Sequence, residues 1–446
     1  MVEAPYSWAT RRAVTASGPA VSSSRSAVAT RPSWRLEGVS IATKGSQQES
    51  VHNTVIAMTT NAARLPWSLS RVGFWVVALV AVGYFPLAFT YFWHYFVPGA
   101  PMLQDELQGA VVGHDFAFGH GSVAQLRAED YAANRVVMLV HTTTGAIALA
   151  LAMVQFSPRL RARRPAVHRW TGRVYLVLMT TSMLAAYAFL LSADEIDYFG
   201  GTAFDLQLWG LATTTTLSAV MAFVAIRRRD VAGHRAWIML NLSFMLTAPL
   251  LRVLWVALGR LDGDLELFMS LDVGSSTLGV IAPGAGAVAV MLTQRPGART
   301  AVAPSAVRQY VAVVVLSAAG SLWLLDLFGR LPEGAPTSMV WAGHLVPAWC
   351  LLAVCLAGAA RAGRDGRGRR EQRWRWLAWG AAGATPATAL SVVAASAVYG
   401  TVDGFLAGQM MGAAGPILLA FVLVVRDGRS SPAPRRTAVP EPVAVA

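Results

Sequence analysis

Residues 136–156 read VVMLVHTTTGAIALALAMVQF, and residues 157–173, which follow directly, read SPRLRARRPAVHRWTGR. The first stretch contains no Asp, Glu, Lys or Arg, and as a helix it would extend about 31 Å. That length crosses a hydrocarbon core about 30 Å thick. The second stretch carries six arginines, which belong at a membrane surface. Together the two stretches predict a spanning helix that ends in a basic connection.

The rest of the chain repeats this pattern. Hydrophobic residues make up 55% of the 446 residues, charged residues only 14%, and the mean hydropathy is +0.47. Soluble domains carry about 25% charged residues, so the composition excludes an ordinary soluble enzyme. We predict an all-α integral membrane protein, a polytopic bundle of about ten transmembrane helices. The expected segments are 73–96, 136–156, 174–193, 205–226, 236–258, 268–293, 309–328, 338–360, 376–398 and 405–425.

The charges predict an orientation. The two tails and the connections at 157–173, 227–235, 294–308 and 361–375 hold 32 basic and 8 acidic residues. The other five connections hold only 4 basic residues and an excess of acidic ones. By the positive-inside rule both termini are cytoplasmic and the protein lies in the inner (plasma) membrane. This distribution explains the net charge of +13 as contact with the lipid bilayer, so no nucleic-acid partner is expected. The oligomeric state is left open.

Composition also suggests the domain boundaries. Residues 1–72 form a serine-rich basic tail expected to be disordered, with translation from Met58 as an alternative start. The first spanning helix and a long outer loop occupy 73–135, a four-helix module 136–258, and a five-helix region 259–425. Residues 426–446 form a second disordered tail.

Two His-Arg pairs stand at equivalent places. His168-Arg169 and His234-Arg235 each lie just before an apolar helix on the basic side, so the two histidines are expected at similar depth. Two imidazoles at one depth on neighbouring helices are what bis-histidine ligation of haem b requires, and Arg169 and Arg173 are suited to pair with its propionates. The alternative is that each pair anchors its helix at the headgroups.

A second polar level is expected nearer the outer side. His141 and Arg252 come at comparable distances from the outer ends of their helices. An arginine inside a spanning segment is costly and normally faces a partner or water. Asp205 and Asp272 are its expected partners, and snorkelling to the outer interface is the alternative.

The sequence gives little support for a metal site or a disulfide bond. His114, Asp115 and His120 have the residue types of a metal site, but a solvated loop with incidental histidines is favoured, and no metal site is predicted. Cys350 and Cys355 lie five residues apart within one apolar segment, on different helix faces, and are interpreted as packing residues.

A family resemblance rests on an ordered set of motifs. These are His141 with Gly145, then Gln155-Phe156, Leu160-Arg161 and Arg163-Arg164-Pro165, then His168-Arg169, Gly172-Arg173 and Tyr175, then His234-Arg235 with Trp237, and finally Leu251-Arg252. Over roughly residues 135–258 the chain resembles the bacterial membrane protein family named domain of unknown function 2306. The resemblance implies a four-helix membrane module and no established activity.

Two functions follow from these observations. The first is a haem- or quinone-linked redox membrane protein that uses His141, His168 and His234. The second is a non-enzymatic transporter, or a scaffold that binds lipid or a partner, with a cavity around Arg252. A membrane-embedded hydrolase has no supporting set of catalytic residues. Whether the chain is an enzyme, and which cofactor it holds, stays open at this point.

Overall fold

A computed structural model describes residues 69–120, 122–192, 201–261, 267–294, 306–333 and 338–429. The tails predicted at the two ends lie almost wholly outside these residues. Ten helical spans in the described part are long and apolar enough to cross a membrane, which confirms the predicted fold class. The chain is therefore an all-α protein of the lipid bilayer.

The helices follow one another with short connections. They are α1 (Leu69–Thr90), α2 (Leu103–Val111), α3 (His114–Phe118), α4 (Val123–Leu126), α5 (Ala128–Ala133), α6 (Arg135–Gln155), α7 (Pro158–Arg163), α8 (Pro165–Ser192), α9 (Gly201–Arg227), α10 (Val231–Met245), α11 (Thr247–Leu261), α12 (Leu267–Thr293), α13 (Ala306–Phe328), α14 (Ser338–Arg364), α15 (Gly368–Tyr399), α16 (Thr401–Met411) and α17 (Ala414–Arg429). Helices α10 and α11 form one span in two pieces, as do α16 and α17.

Successive spans alternate in direction, so all arginine-rich connections lie on one side. We call this side the basic side, and the side that carries the connection 97–134 the acidic side. Which of the two faces the cytoplasm stays a prediction.

Two apolar cores meet at α10. One core joins α1, α6 and α8 around the buried side chains of Tyr175 and Met179, with Leu242 from α10. The other joins α12, α13, α14, α15 and α17, and it receives Leu240 and Phe244 from the opposite face of α10. Residues two apart on a helix point in widely different directions, so a single helix can supply both cores. Helix α10 therefore ties the first half of the chain to the second.

The break between α10 and α11 has a local cause. Pro249 has no N–H to donate to the Met245 carbonyl, so the regular ladder of hydrogen bonds is interrupted there. The chain turns at Leu246 and resumes as α11. The break gives the segment that carries Arg252 a direction of its own.

The connection 97–134 on the acidic side folds as four short helices, α2 to α5, which we call the cap. It packs over α11, because Val112 and Phe116 lie directly against Gly259. It also reaches α8 and the turn that follows α1 through Tyr131, whose ring centroid lies 5.0 Å from that of Phe92 and 6.0 Å from that of Phe189. The cap therefore covers the acidic-side ends of several spans.

Close packing of α16 on α15 supplies a stability prediction. At Gly408 a Cβ atom would collide with the backbone of Val392, which cannot move aside as a side chain can. We expect Gly408→Ala to destabilise the protein by about 1–3 kcal/mol, the usual cost of overpacking. The measurement is thermal unfolding of the detergent-purified protein.

The matched control is Gly415→Ala in α17, where a Cβ atom would meet nothing within 4 Å. This change should leave stability equal or slightly higher, because alanine favours a helix more than glycine does. Equal melting temperatures for the two variants would contradict the packing described here.

Candidate functional site

Arg252 lies on α11 below the cap and is partly buried. Its guanidinium carbon lies 5.1 Å from the centroid of the Trp255 ring, and Nη1 donates a long hydrogen bond of 3.4 Å to the Ala248 carbonyl. Its Nε is buried without a hydrogen-bond partner. The groups that act electrostatically on this guanidinium include Asp105 and the hydroxyls of Tyr84, Tyr91 and Tyr131. We call these five residues the Arg252 site.

Asp105 comes from the cap and is the carboxyl group of this site. Asp105 is only 1% exposed, and its Oδ2 has no hydrogen-bond partner. Burial raises the pKa of Asp105 to about 7, although the nearby Arg252 charge acts in the opposite direction. The two groups interact through space without forming an ion pair within 4 Å. Asp105 therefore changes its protonation state near neutral pH.

Helix α2 is turned with its polar face inward. Gln104, Asp105 and Gln108 are buried, with 4%, 1% and 5% of their surfaces exposed. Leu107 and Val111, on the other face, are exposed by 48% and 42%. An ordinary surface helix shows the reverse arrangement. The buried Gln108 Nε2, like Asp105 Oδ2, has no hydrogen-bond partner. The inward face of α2 thus presents polar atoms that no described protein group satisfies.

His141 on α6, which the sequence predicts at the depth of Arg252, lies in the neighbourhood of that guanidinium. Its Nδ1 lies 2.9 Å from the Ser182 carbonyl oxygen, and the Ser182 hydroxyl donates to the His141 carbonyl at 2.9 Å. The first contact requires a proton on Nδ1, so Nε2 keeps its lone pair. Arg252 acts electrostatically on this ring. His141 can therefore accept a hydrogen bond at the edge of the Arg252 site.

The predicted carboxyl partners of Arg252 have other neighbours. Asp205 interacts with Arg127, and Asp272 interacts with Asp403. The carboxyl group that the structure brings near Arg252 is Asp105, which was not among the partners predicted from the sequence. The reason is that Asp105 lies in a connection, and its distance from Arg252 depends on how the cap folds back.

His168 and His234 are close enough to interact electrostatically at the basic side. The structure thus brings together the two histidines that the sequence placed at one depth. Arg161 lies beside them, and burial together with the neighbouring Arg235 lowers its pKa. Both histidines are only partly buried and stand in the first turns of their helices.

The two imidazoles differ in their hydrogen bonds. Nδ1 of His234 lies 2.9 Å from the Ala222 carbonyl oxygen, which leaves Nε2 free to ligate. When the Gln155 amide is oriented to satisfy its neighbours, its nitrogen donates to Nδ1 of His168 at 2.8 Å, and its oxygen accepts from the Gly172 N–H at 3.0 Å. Nε2 of neutral His168 then carries the proton. Only His234 presents a free lone pair in this arrangement.

Arg169 and Arg173 lie on the exposed surface of α8. The Arg173 guanidinium carbon is 5.6 Å from the centroid of the Trp170 ring, which is itself 64% exposed. An arginine stacked on an exposed aromatic ring at a helix entry is typical of a headgroup anchor. This contact fits the alternative given by the sequence, in which this segment anchors its helix at the lipid headgroups.

The described residues offer no set of three His, Cys, Asp or Glu side chains placed to hold a metal ion. His114 and Asp115 are both highly exposed, and their side chains are 3.9 Å apart. Cys350 and Cys355 are free cysteines, as their spacing indicated.

The sequence held one signal for the missed part of the site. Gln104, Asp105 and Gln108 share one face of a helix because they are spaced i, i+1 and i+4. That pattern shows a polar stripe, but it does not show that the stripe points inward. The tyrosines carried no comparable signal, because tyrosine is common at membrane interfaces.

Comparison with known proteins gives one match. Residues 138–273 match the model of a family described as "Predicted membrane protein (DUF2306)". The match begins in α6 and continues into α12, somewhat beyond the motifs that carried the resemblance. No curated protein and no solved structure matches the chain. The segment that contains His141, His168, His234 and Arg252 is thus similar to the DUF2306 predicted membrane proteins, whose description names no activity.

Proposed function

We propose that the Arg252 site binds a small anion together with one proton, and that the chain is a membrane transporter or binding protein built around it. One observation carries this proposal. The polar face of α2 is buried and brings Asp105 to Arg252; two polar atoms of this face, Asp105 Oδ2 and Gln108 Nε2, and Nε of Arg252 itself have no hydrogen-bond partner. Buried polar groups are nearly always satisfied, so these atoms call for water or a ligand.

The charges favour an anion. When Asp105 is ionised, its negative charge offsets the positive charge of Arg252. The site then has no net charge to attract an anion from outside. When Asp105 is protonated, Arg252 keeps an unbalanced charge near the hydroxyls of Tyr84, Tyr91 and Tyr131. A carboxylate or phosphate group then supplies the missing charge and accepts these hydrogen bonds. Binding of the anion and uptake of the proton on Asp105 are therefore linked.

The protonation of Asp105 is directly testable. The pKa of about 7 in the folded protein lies above the ordinary 3.8, so the folded state holds the proton throughout that interval. The unfolding free energy should fall as the pH rises from about 4 to about 7. Infrared spectra of the protein in nanodiscs should show a protonated-carboxyl band that disappears with a midpoint near pH 7. Asp105→Asn should lose the part of both effects that Asp105 contributes.

The anion is tested separately with acetate and inorganic phosphate as probes. Thermal unfolding at pH 6 should show stabilisation by at least one probe over equal ionic strength of chloride, and weaker stabilisation at pH 8. In Asp105→Asn the dependence on pH should vanish. If neither probe stabilises the protein and the carboxyl band has no midpoint near pH 7, the proposal is wrong.

A second candidate, redox chemistry on haem b, is favoured by the proximity of His168 and His234. Haem would supply electron transfer, with His234 holding the iron through Nε2 and His168 freed for ligation by reorientation of the Gln155 amide. Absorption spectra of the purified protein test this candidate. A Soret band that disappears in His234→Ala supports it. The absence of such a band in protein purified with haem supplied during expression contradicts it.

A further inference from the structure

Helices α12 and α16 run side by side in the same direction, because both start at the acidic side. Asp272 of α12 interacts with Asp403 of α16. Seven residues further along each helix, Gly279 packs directly on the backbone carbonyl of Met410. The equal spacing on both helices shows that they are in register over two turns. The absence of a side chain at Gly279 permits this close approach.

The face of α12 that carries Asp272 is polar. Ser275 and Ser276 follow Asp272 by three and four residues, so all three side chains share this face. Both serine residues are 0% exposed, and neither hydroxyl has a hydrogen-bond partner. Asp272 itself is only 9% exposed. Two fully buried hydroxyls without partners, next to a buried carboxyl, require a further polar species.

Neighbouring helices bring more polar groups to this stretch of α12. The Gln207 amide of α9 donates to the Ser275 carbonyl at 2.8 Å. On α14, the Gly343 carbonyl accepts from the Thr277 hydroxyl at 2.8 Å, so the adjacent His344 also stands close to α12. His344 is 0% exposed and lies against the backbone of Gln409 on α16.

The two carboxyl groups differ in exposure. Asp403 is exposed at the acidic-side end of α16, whereas Asp272 is buried. A cation would meet Asp403 first and then reach Asp272 and the serine hydroxyls. Ionisable residues inside spanning helices commonly mark such ion pathways.

We propose that Asp272, Ser275 and Ser276, with Asp403 at the entrance, form a binding site for Na⁺. All of these groups are hard oxygen ligands, which suit ions without a preference for nitrogen or sulfur. One positive charge balances the single buried carboxylate, whereas a divalent ion in a protein usually draws on several carboxylates. The site is separate from the Arg252 site and does not depend on the function proposed for it.

The test is the thermal unfolding of the full chain in nanodiscs, with NaCl replaced stepwise by N-methylglucamine chloride at constant ionic strength. Because Na⁺ binds the folded state, the melting temperature should be several degrees (about 4 °C) higher in NaCl than in N-methylglucamine chloride. This difference should saturate as the Na⁺ concentration rises. Asp272→Asn should abolish the Na⁺ dependence. Ser276→Ala, which removes one ligand with little change in volume, should shift the dependence to higher Na⁺ concentration.

Asp326→Asn is the control, because Asp326 is an exposed carboxyl that pairs with Arg330 at 2.5 Å elsewhere on the acidic side. It should keep the full Na⁺ dependence. Equal melting temperatures in the two salts, or an unchanged Na⁺ dependence in Asp272→Asn, would overturn the proposal. Stabilisation by CaCl₂ but not by NaCl would overturn it as well.

Discussion

Arg252→Gln is expected to raise the pKa of Asp105 by roughly one unit, because the substitution removes the positive charge that favours the carboxylate. In the wild-type protein burial alone would carry this pKa higher, and Arg252 opposes that shift. The infrared band of the protonated carboxyl should therefore persist to about pH 8 in the variant. Stabilisation by anion probes should be lost at every pH, because the cation that attracts them is gone.

The matched control is Arg260→Gln, which removes an exposed arginine from the last turn of the same helix. Asp105 should titrate in this variant as it does in the wild type. If Arg252→Gln leaves the titration midpoint unchanged, or if Arg260→Gln moves it equally, the link between Arg252 and Asp105 is wrong.

The largest loss of stability is expected from Arg375→Met. Arg375 and Glu371 form an ion pair near the basic side of α15, and both side chains are only 3% exposed. The Tyr310 hydroxyl donates to Glu371 Oε1 at 3.1 Å, and the Arg375 guanidinium carbon is 5.8 Å from the centroid of the Tyr310 ring. Removing the arginine leaves a buried carboxylate without its counter-charge, a loss of about 3–5 kcal/mol.

A second substitution separates charge from packing. Glu371→Gln added to Arg375→Met removes the unpaired charge and should restore much of the lost stability, as measured by urea or thermal unfolding in detergent. Arg361→Met, at an exposed position on α14, should have little effect. A double variant no more stable than Arg375→Met would show that the guanidinium acts through packing, not through charge.

Much of the fold was predictable from single segments. The ten spans follow from apolar length, because a segment that cannot be solvated must cross or leave the membrane whatever its neighbours do. The resemblance over α6 to α11 was likewise carried by local motifs. The shared level of His141 and Arg252 followed from counting residues along a helix, since the rise per residue is fixed.

The partners of these residues were harder to predict. Asp205 and Asp272 were predicted as partners of Arg252 from their depth in the membrane. Depth gives the position of a residue along the membrane normal but not within the membrane plane. Rotation of each helix about its axis and the path of the cap decide which groups meet. For this reason His168 and His234 came together as expected, whereas their hydrogen bonds to Gln155 and Ala222 could not be foreseen.

The sequence by itself thus determined that the chain is a helical membrane protein with arginine-rich connections on one side and a costly arginine in one span. Only the tertiary structure decided that Asp105 approaches Arg252 and that Asp272 approaches Asp403 across α12 and α16. Hydropathy is a property of each segment and is set by local chemistry. Contacts between distant residues depend on packing, which sums many small interactions over the whole bundle.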